Sequence, residues 1–267
     1  MEFLGVLGEN AEAGENLTYC QANGFAMDFS QEELIDAVER LVNALLERAG
    51  VTEPPVDALH IAEDHLGIPV EVVEPAEEDE TGRRRPRSRT SSAGIALSPG
   101  MTPEQEQKAA AEGIARTVLP DILKRLDVTP GTENKQFATH VRGLVVARIL
   151  IPTRLLRLAL KQHKYDLHAL KKVFTTAQTE AIALRWLDLD EPCVIAIVDD
   201  GVVAVRRGNQ SAASKKLEEA EQQCLDKIME VDQPHRVRTG GWTVQGWPVP
   251  ERPFRRIILR AVRDDDV

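Results

Sequence analysis

Pro55-Val56-Asp57-Ala58-Leu59-His60-Ile61-Ala62-Glu63-Asp64-His65-Leu66-Gly67-Ile68-Pro69-Val70 holds a helix, its stop and the start of a strand. Val56, Leu59, Ile61 and Leu66 recur as a helical apolar set after Pro54-Pro55. Gly67-Ile68-Pro69 breaks the pattern, because proline fixes φ and offers no amide hydrogen to a helix. Val70-Glu71-Val72-Val73 then alternates as a short strand. Upstream, Ser30-Gln31-Glu32-Glu33 forms a capping box. Leu34, Val38, Leu41, Leu45 and Leu46 follow as an apolar stripe that ends at Gly50. Residues 1–27 are aperiodic and stop at a second methionine, Met27, so they read as a disordered or mis-called extension. Downstream, residues 74–92 place five acids before five arginines and hold no large apolar side chain. Such a stretch cannot offset its ordering entropy by burial and reads as a charged, flexible loop. Its Arg-rich run can bind nucleic acid, yet two attracting charge blocks in one loop favour a solvated segment. Ala93–Leu97 is a strand expected to partner residues 70–73 across it.

The rest divides into a helical middle and a β-rich end. Thr102-Pro103-Glu104 starts a helix running to about Leu126, with proline in the first turn. Further helices are expected over 133–151, 153–162, 166–174 and 178–187. After Pro192 the period changes to two. Strands 193–198 and 202–205 flank Asp199-Asp200-Gly201, a hairpin turn. A polar helix near 214–230 leads to strands near 235–238, 242–249 and 254–260. Trp242 and Trp247 have opposite parity along their strand, so they face opposite ways. One is expected in the core and the other at a covered edge, rather than both on a ligand-stacking platform. The fold class is α+β: a mostly helical domain over 28–190 with a small sheet or hairpin, then a C-terminal β-rich subdomain over 191–267.

Composition removes several classes. The 267 residues are 42% hydrophobic and 28% charged, the balance of a folded chain. No apolar run approaches the roughly 20 residues of a bilayer helix. The three cysteines are odd in number and lack CxxC spacing, which argues against a disulfide framework or a cysteine zinc site and suits a reducing cytoplasm. A net charge of −10 does not describe a protein that coats nucleic acid. Residues 141–186 run against that mean, with nine Lys/Arg and only Asp166 and Glu180 as acids. That window is either a solvated helical face or a patch for a phosphate backbone or an acidic partner.

A search for chemistry finds little. None of the six histidines sits in HExxH. His60 and His65 are five apart, about 140° around an α-helix at about 100° per residue, which is wrong for two ligands of one ion. The string from His60 to His65 is an inverted zincin motif with one residue too many and reads as ordinary helix surface. His163 and His168 share the fault. No GxSxG, P-loop or GxGxxG occurs.

The order of these segments resembles the ImmA/IrrE family of zinc-peptidase-like proteins. The stretch from Pro55 to Val70 is similar to that family's P-V-D-x-x-x-I-A-x-x-x-G-I-x-V opening. Ile149-Leu150-Ile151-Pro152 is similar to its proline phrase, and Leu167–Leu187 to its helix-turn-helix-like segment. The resemblance spans roughly residues 30–190. It implies a zincin-like domain in which a hairpin precedes the zinc-bearing helix, and a role near transcription or stress control, since family members often act on DNA-bound repressors. The departure is at the chemistry. Where the family carries Ala-His-Glu-x-x-His, this chain reads Ala109-Ala110-Ala111-Glu112-Gly113-Ile114-Ala115-Arg116; placing Glu112 on the family's glutamate puts Ala111 and Ala115 at the two ligand positions, and a shift by one puts Glu112 and Arg116 there instead. Alanine has no donor atom for zinc, and a guanidinium is a cation without a lone pair. The third ligand is normally an acid near Thr139-His140-Val141-Arg142, where none stands.

Glu112, Arg116 and His140 are therefore the degenerate site positions, with no catalytic, cofactor or metal residue expected. If the helix still borders a cleft, Glu112 and Arg116 could fill it as an ion pair with His140 nearby. Two functions follow. One is a degenerate peptidase fold kept as a regulatory or binding module, whose partner is a protein such as a transcriptional repressor. The other is an active zinc endopeptidase that cleaves a repressor-type protein with a different constellation, such as Glu112, His140 and a water. Direct DNA contact by segment 167–187 has thin support, because Gln178, Thr179 and Arg185 make a meagre recognition face and Phe174, Ala181 and Leu184 read as packing. No membrane partner is expected.

Overall fold

The computed structural model describes residues 29–73, 94–131, 133–210, 213–250 and 254–264. The expected extension over 1–27 and the charged loop over 74–92 lie outside them. Helix α1 is Gln31–Arg48. Its capping box is closed both ways, with the Ser30 amide donating to Glu33 at 2.6 Å and the Glu33 amide to Ser30 Oγ at 3.2 Å. Leu34, Val38, Val42 and Leu45 form its buried stripe, which packs against α4, Lys135–Leu150.

The stretch from Pro55 to Val70 forms a short α2, Ala58–His60, which continues as a π-helical turn over Ile61–His65. Asp57 caps it, accepting from the His60 amide at 3.1 Å. Gln107 of α3, Pro103–Arg125, donates to the same carboxylate at 2.9 Å and accepts from the Ala58 amide at 2.6 Å. Asp57 therefore fixes where α2 starts and ties that start to α3. Gly67 follows with φ +61°, a conformation that costs glycine little. Strands β1, Val70–Val72, and β2, Ile95–Leu97, pair as expected, but in parallel, with Val70 beside Ile95 and Val72 beside Leu97. The hairpin expected there is corrected on that point. A two-residue turn can join only antiparallel strands; parallel ones need a return crossover, and residues 73–94 supply the length.

Helix α3 opens with a Thr102–Gln105 capping box and Pro103 in its first turn. It packs closely on α4, with Ala110, Ala111, Ile114 and Ala115 buried. Then come α5, Thr153–His163; α6, Leu167–Val173; α7, Thr179–Leu184; and a 3₁₀ turn over Arg185–Asp188.

The second half is a five-stranded antiparallel sheet in the order β4-β3-β7-β6-β5. Its strands are β3, Val194–Asp199; β4, Val202–Gly208; β5, His235–Thr239; β6, Trp242–Val249; and β7, Arg256–Arg263. One face takes helix α8, Glu219–Val231, over Ala196, Val198, Val244, Leu259 and Ala261. The helix begins later than the polar pattern suggests, at a Glu218–Glu221 capping box. Gly246 makes room for it, since a Cβ there would lie 2.4 Å from Ile228 Cδ1. The other face presents Ile195, Ile197, Trp247, Val249 and Ile258, which join the core of the helical half. Tyr165, Trp186 and Trp247 line this seam edge to face at 5.6 and 5.8 Å between centroids, and Arg260 covers the Tyr165 ring at 3.8 Å. Trp247 is buried there. Trp242 lies on the opposite face under Arg263, as the parity of the two positions requires.

Candidate functional site

On α3, Ala111 and Ala115, the zinc-ligand positions when Glu112 is set on the family's glutamate, are sealed inside the core. Between them, Gly113 lets strand β2 come close: a Cβ there would stand 2.3 Å from Ile95 Cγ1. Glu112 and Arg116 share a face, as their spacing dictates, but that face is the exposed one. The expected polar filling of a cleft is thereby corrected, because the inner surface of α3 is apolar and close-packed. His140 sits half-buried on α4. Its pKa is lowered by burial first and by Arg148 next, with Asp188 opposing. The residues present do not fit a zinc ion, since the alanines have no donor atom and the guanidinium of Arg116 is a cation without a lone pair to offer.

His60 and His65 depart from the expected geometry. The π-helical turn widens the ladder to i→i+5, so the extra residue is absorbed and the rings meet edge to face at 5.3 Å. His60 Nδ1 pairs with Asp64 at 2.5 Å. All three side chains are exposed. Among the described residues no group of three or more His, Cys, Asp or Glu is arranged to hold a metal.

The helix-turn-helix-like segment is internal scaffolding. Leu167, Leu170, Phe174, Ala177, Ile182 and Ala183 are buried. Lys171 Nζ donates to the carbonyls of Thr175 and Ala177 and to Glu104 of α3, so its three hydrogens close the turn and dock it. Glu180 pairs with Arg256 of β7. Arg185, which the sequence offers to a recognition face, is 2% exposed and points inward.

Arg185 belongs to a cluster that sequence reasoning missed. Its Nη1 donates to Asp188, its Nη2 to Thr153 Oγ1 at 2.6 Å and its Nε to the Ile151 carbonyl at 3.2 Å. Thr153 in turn donates to Glu39 of α1. Arg148 of α4, 2% exposed, donates from Nε to Glu39 at 2.8 Å and from Nη1 to the Leu144 carbonyl at 3.3 Å. Its Nη2 lies 3.6 Å from Asp188, beyond hydrogen-bonding range. Two buried guanidiniums thus share two partly exposed carboxylates. The signal was present in the sequence: Arg148 and Arg185 occupy core-facing positions among Val145, Ile149, Ile182 and Trp186.

This cluster floors a groove of about 780 Å³ between α1 and α5. Ile35, Glu39 and Asn43 line one side, and Arg154, Arg157, Leu158 and Lys161 the other. Six of the nine cations of the basic window are therefore accounted for in three ways. Arg148 and Arg185 go inside, Lys171 closes a turn, and the α5 cations face this groove. No described helix is long and apolar enough to cross a membrane.

No family model matches the chain, and no curated protein does. Among solved structures the chain is similar to a Mycobacterium tuberculosis transcriptional regulator, with a TM-score of 0.60 and 15% identity. The superposition covers 87% of this chain and 80% of that one. At that identity the likeness is one of fold. It extends across both the helical half and the sheet.

Proposed function

We propose that the chain is a zinc-free relative of the ImmA/IrrE proteins, kept as a regulatory binding module near transcription or stress control. One observation carries the reading: Ala111 and Ala115, at the zinc-ligand positions of that family, are fully buried against neighbouring apolar side chains. A lost ligand alone would leave a polar cleft, whereas here the helix face has become packing surface. The transcriptional regulator of similar fold is in keeping with such a role. The partner on this reading is a protein, such as a transcriptional repressor. Direct DNA contact by segment 167–187 has weaker support, because Arg185 and the segment's apolar residues are used inside the fold.

The test is elemental analysis of the chain purified from zinc-supplemented cells, with cleavage assays on repressor-type substrates. Substoichiometric zinc and no cleavage are expected. One zinc per chain, or metal-dependent proteolysis, would overturn the reading in favour of an active endopeptidase.

A further inference from the structure

We propose that the groove between α1 and α5 is a docking site for an acidic, amphipathic protein segment. The inference rests on the reading of the chain as a binding module and names the surface and the chemistry of what it binds.

Helix α5 puts Leu155, Leu156, Ala159 and Leu160 into the core. Its outer side carries Arg154, Arg157 and Lys161 around Leu158, an apolar side chain left 51% exposed. Across the groove stands Ile35 of α1. Arg157 is held at 3.2 Å by Asp190. Arg154 and Lys161 have no acidic neighbour within ion-pairing distance among the described residues. These two cations flank the leucine, one helical turn before it and one after, on a chain whose net charge is −10.

A phosphate backbone fits this surface poorly. Phosphates gain nothing from the apolar Leu158 and Ile35, which line the groove beside the cations. An acidic amphipathic peptide uses both the cations and the apolar side chains, while the groove's own carboxylates are each held by an arginine, Glu39 by Arg148, Asp188 by Arg185 and Asp190 by Arg157. The peptide's apolar residues cover Leu158 and Ile35, and its carboxylates meet Arg154 and Lys161. A carboxylate reaching the floor meets Arg148, whose Nη2 makes no hydrogen bond among the described residues. The volume is that of a site that encloses a few side chains. Apolar anchors ringed by complementary charge are the pattern of helix-in-groove recognition.

The test uses the full chain and a fluorescein-labelled synthetic peptide of about 12 residues, roughly 18 Å as a helix. The peptide carries Leu at one-turn spacing and Glu between. The same peptide with Gln for Glu and a short labelled DNA duplex serve as comparators in fluorescence anisotropy. Micromolar binding of the acidic peptide is expected, with the Gln peptide and the duplex weaker. Arg154→Glu with Lys161→Glu should weaken the peptide at least about tenfold, since two attractive charge contacts become repulsive. Leu158→Asp should weaken it comparably, by removing the anchor and adding a like charge. All three residues are exposed, so thermal stability should hold; Arg154→Gln with Lys161→Gln provides a milder version giving a smaller loss in the same direction. Tighter binding of the duplex, lost in the same variants, would overturn the proposal in favour of nucleic acid. Peptide binding that is absent, or indifferent to the charge reversal, would overturn it outright. Zinc content is measured separately, so one zinc per chain would remove the non-catalytic reading without touching the groove result.

Discussion

The inner face of α3 and the groove between α1 and α5 lie in the same helical half and answer opposite physical demands. Along α3 the residues facing inward are Ala110, Ala111, Ile114 and Ala115, with Gly113 pressed on Ile95. Nothing there can ligate, protonate or attack. In the groove, Arg148 and Arg185 are buried with Glu39, Asp188 and Thr153, although burying charge is costly unless every partner is in place. A fold of this size tolerates such a cluster where it orients something. On the proposed reading, recognition falls to α1 and α5, away from the helix that resembles a catalytic one.

Breaking the charged side should have the largest effect. Arg185→Met leaves Asp188 and Thr153 without their donor and should cost about 3–5 kcal/mol by urea denaturation. Adding Asp188→Leu should recover part of the loss; a single variant within about 1 kcal/mol of wild type would show the cluster to be incidental. The apolar side should be nearly as sensitive. Histidines placed together at Ala111 and Ala115 add volume at two fully buried positions, each costing about 1–3 kcal/mol, and bury unpartnered imidazoles besides. A double variant that keeps its melting temperature and takes up zinc would mean that the face is open after all. Gly113→Ala sharpens the point on a smaller scale. Its methyl meets Ile95 Cγ1, so about 1 kcal/mol or more should be lost, and Gly113→Ala with Ile95→Ala, which removes that carbon, should cost less than the sum of the two single changes.

His140 supplies a weaker probe between the two regions. Its folded pKa is lowered, so the unfolded chain binds the proton more readily. The stability that results is fully present above the unfolded value of about 6.5 and declines as pH falls through the folded value. His140→Gln should flatten that part of the stability–pH curve, and an unchanged slope would place its source elsewhere. The smallest expected effect is none: EDTA should leave the melting temperature unmoved, because a structural zinc would couple to folding.

Much of the architecture was legible. Ser30 and Thr102 announce their helices by capping chemistry, and Asp200-Gly201 its hairpin by the positive φ both residues adopt. Strand direction was not legible, because alternation in 70–73 and 93–97 is the same whether the pairing is parallel or antiparallel. Of the candidate site, only what α3 lacks could be read from residue types. Which side of α3 faced inward needed the structure, since Ala111 with Ala115 and Glu112 with Arg116 have equal spacing. The groove stayed hidden for another reason. Glu39, Arg148, Thr153 and Asp188 meet through tertiary packing, and charge counted along the chain merges the buried arginines with the exposed ones.

The π-helical turn at Ile61–His65 also bears on how this surface would respond to length changes. Five residues there occupy the place that four would fill in a regular helix, so the turn acts as a slack loop of wire wound into a coil. Removing one residue between His60 and His65 should not fray the helix but tighten it to the ordinary pitch, with Gly67 and β1 keeping their places. Two imidazoles that now touch would still face the same way, four positions apart. The coil absorbs the difference, and the surface hardly registers it.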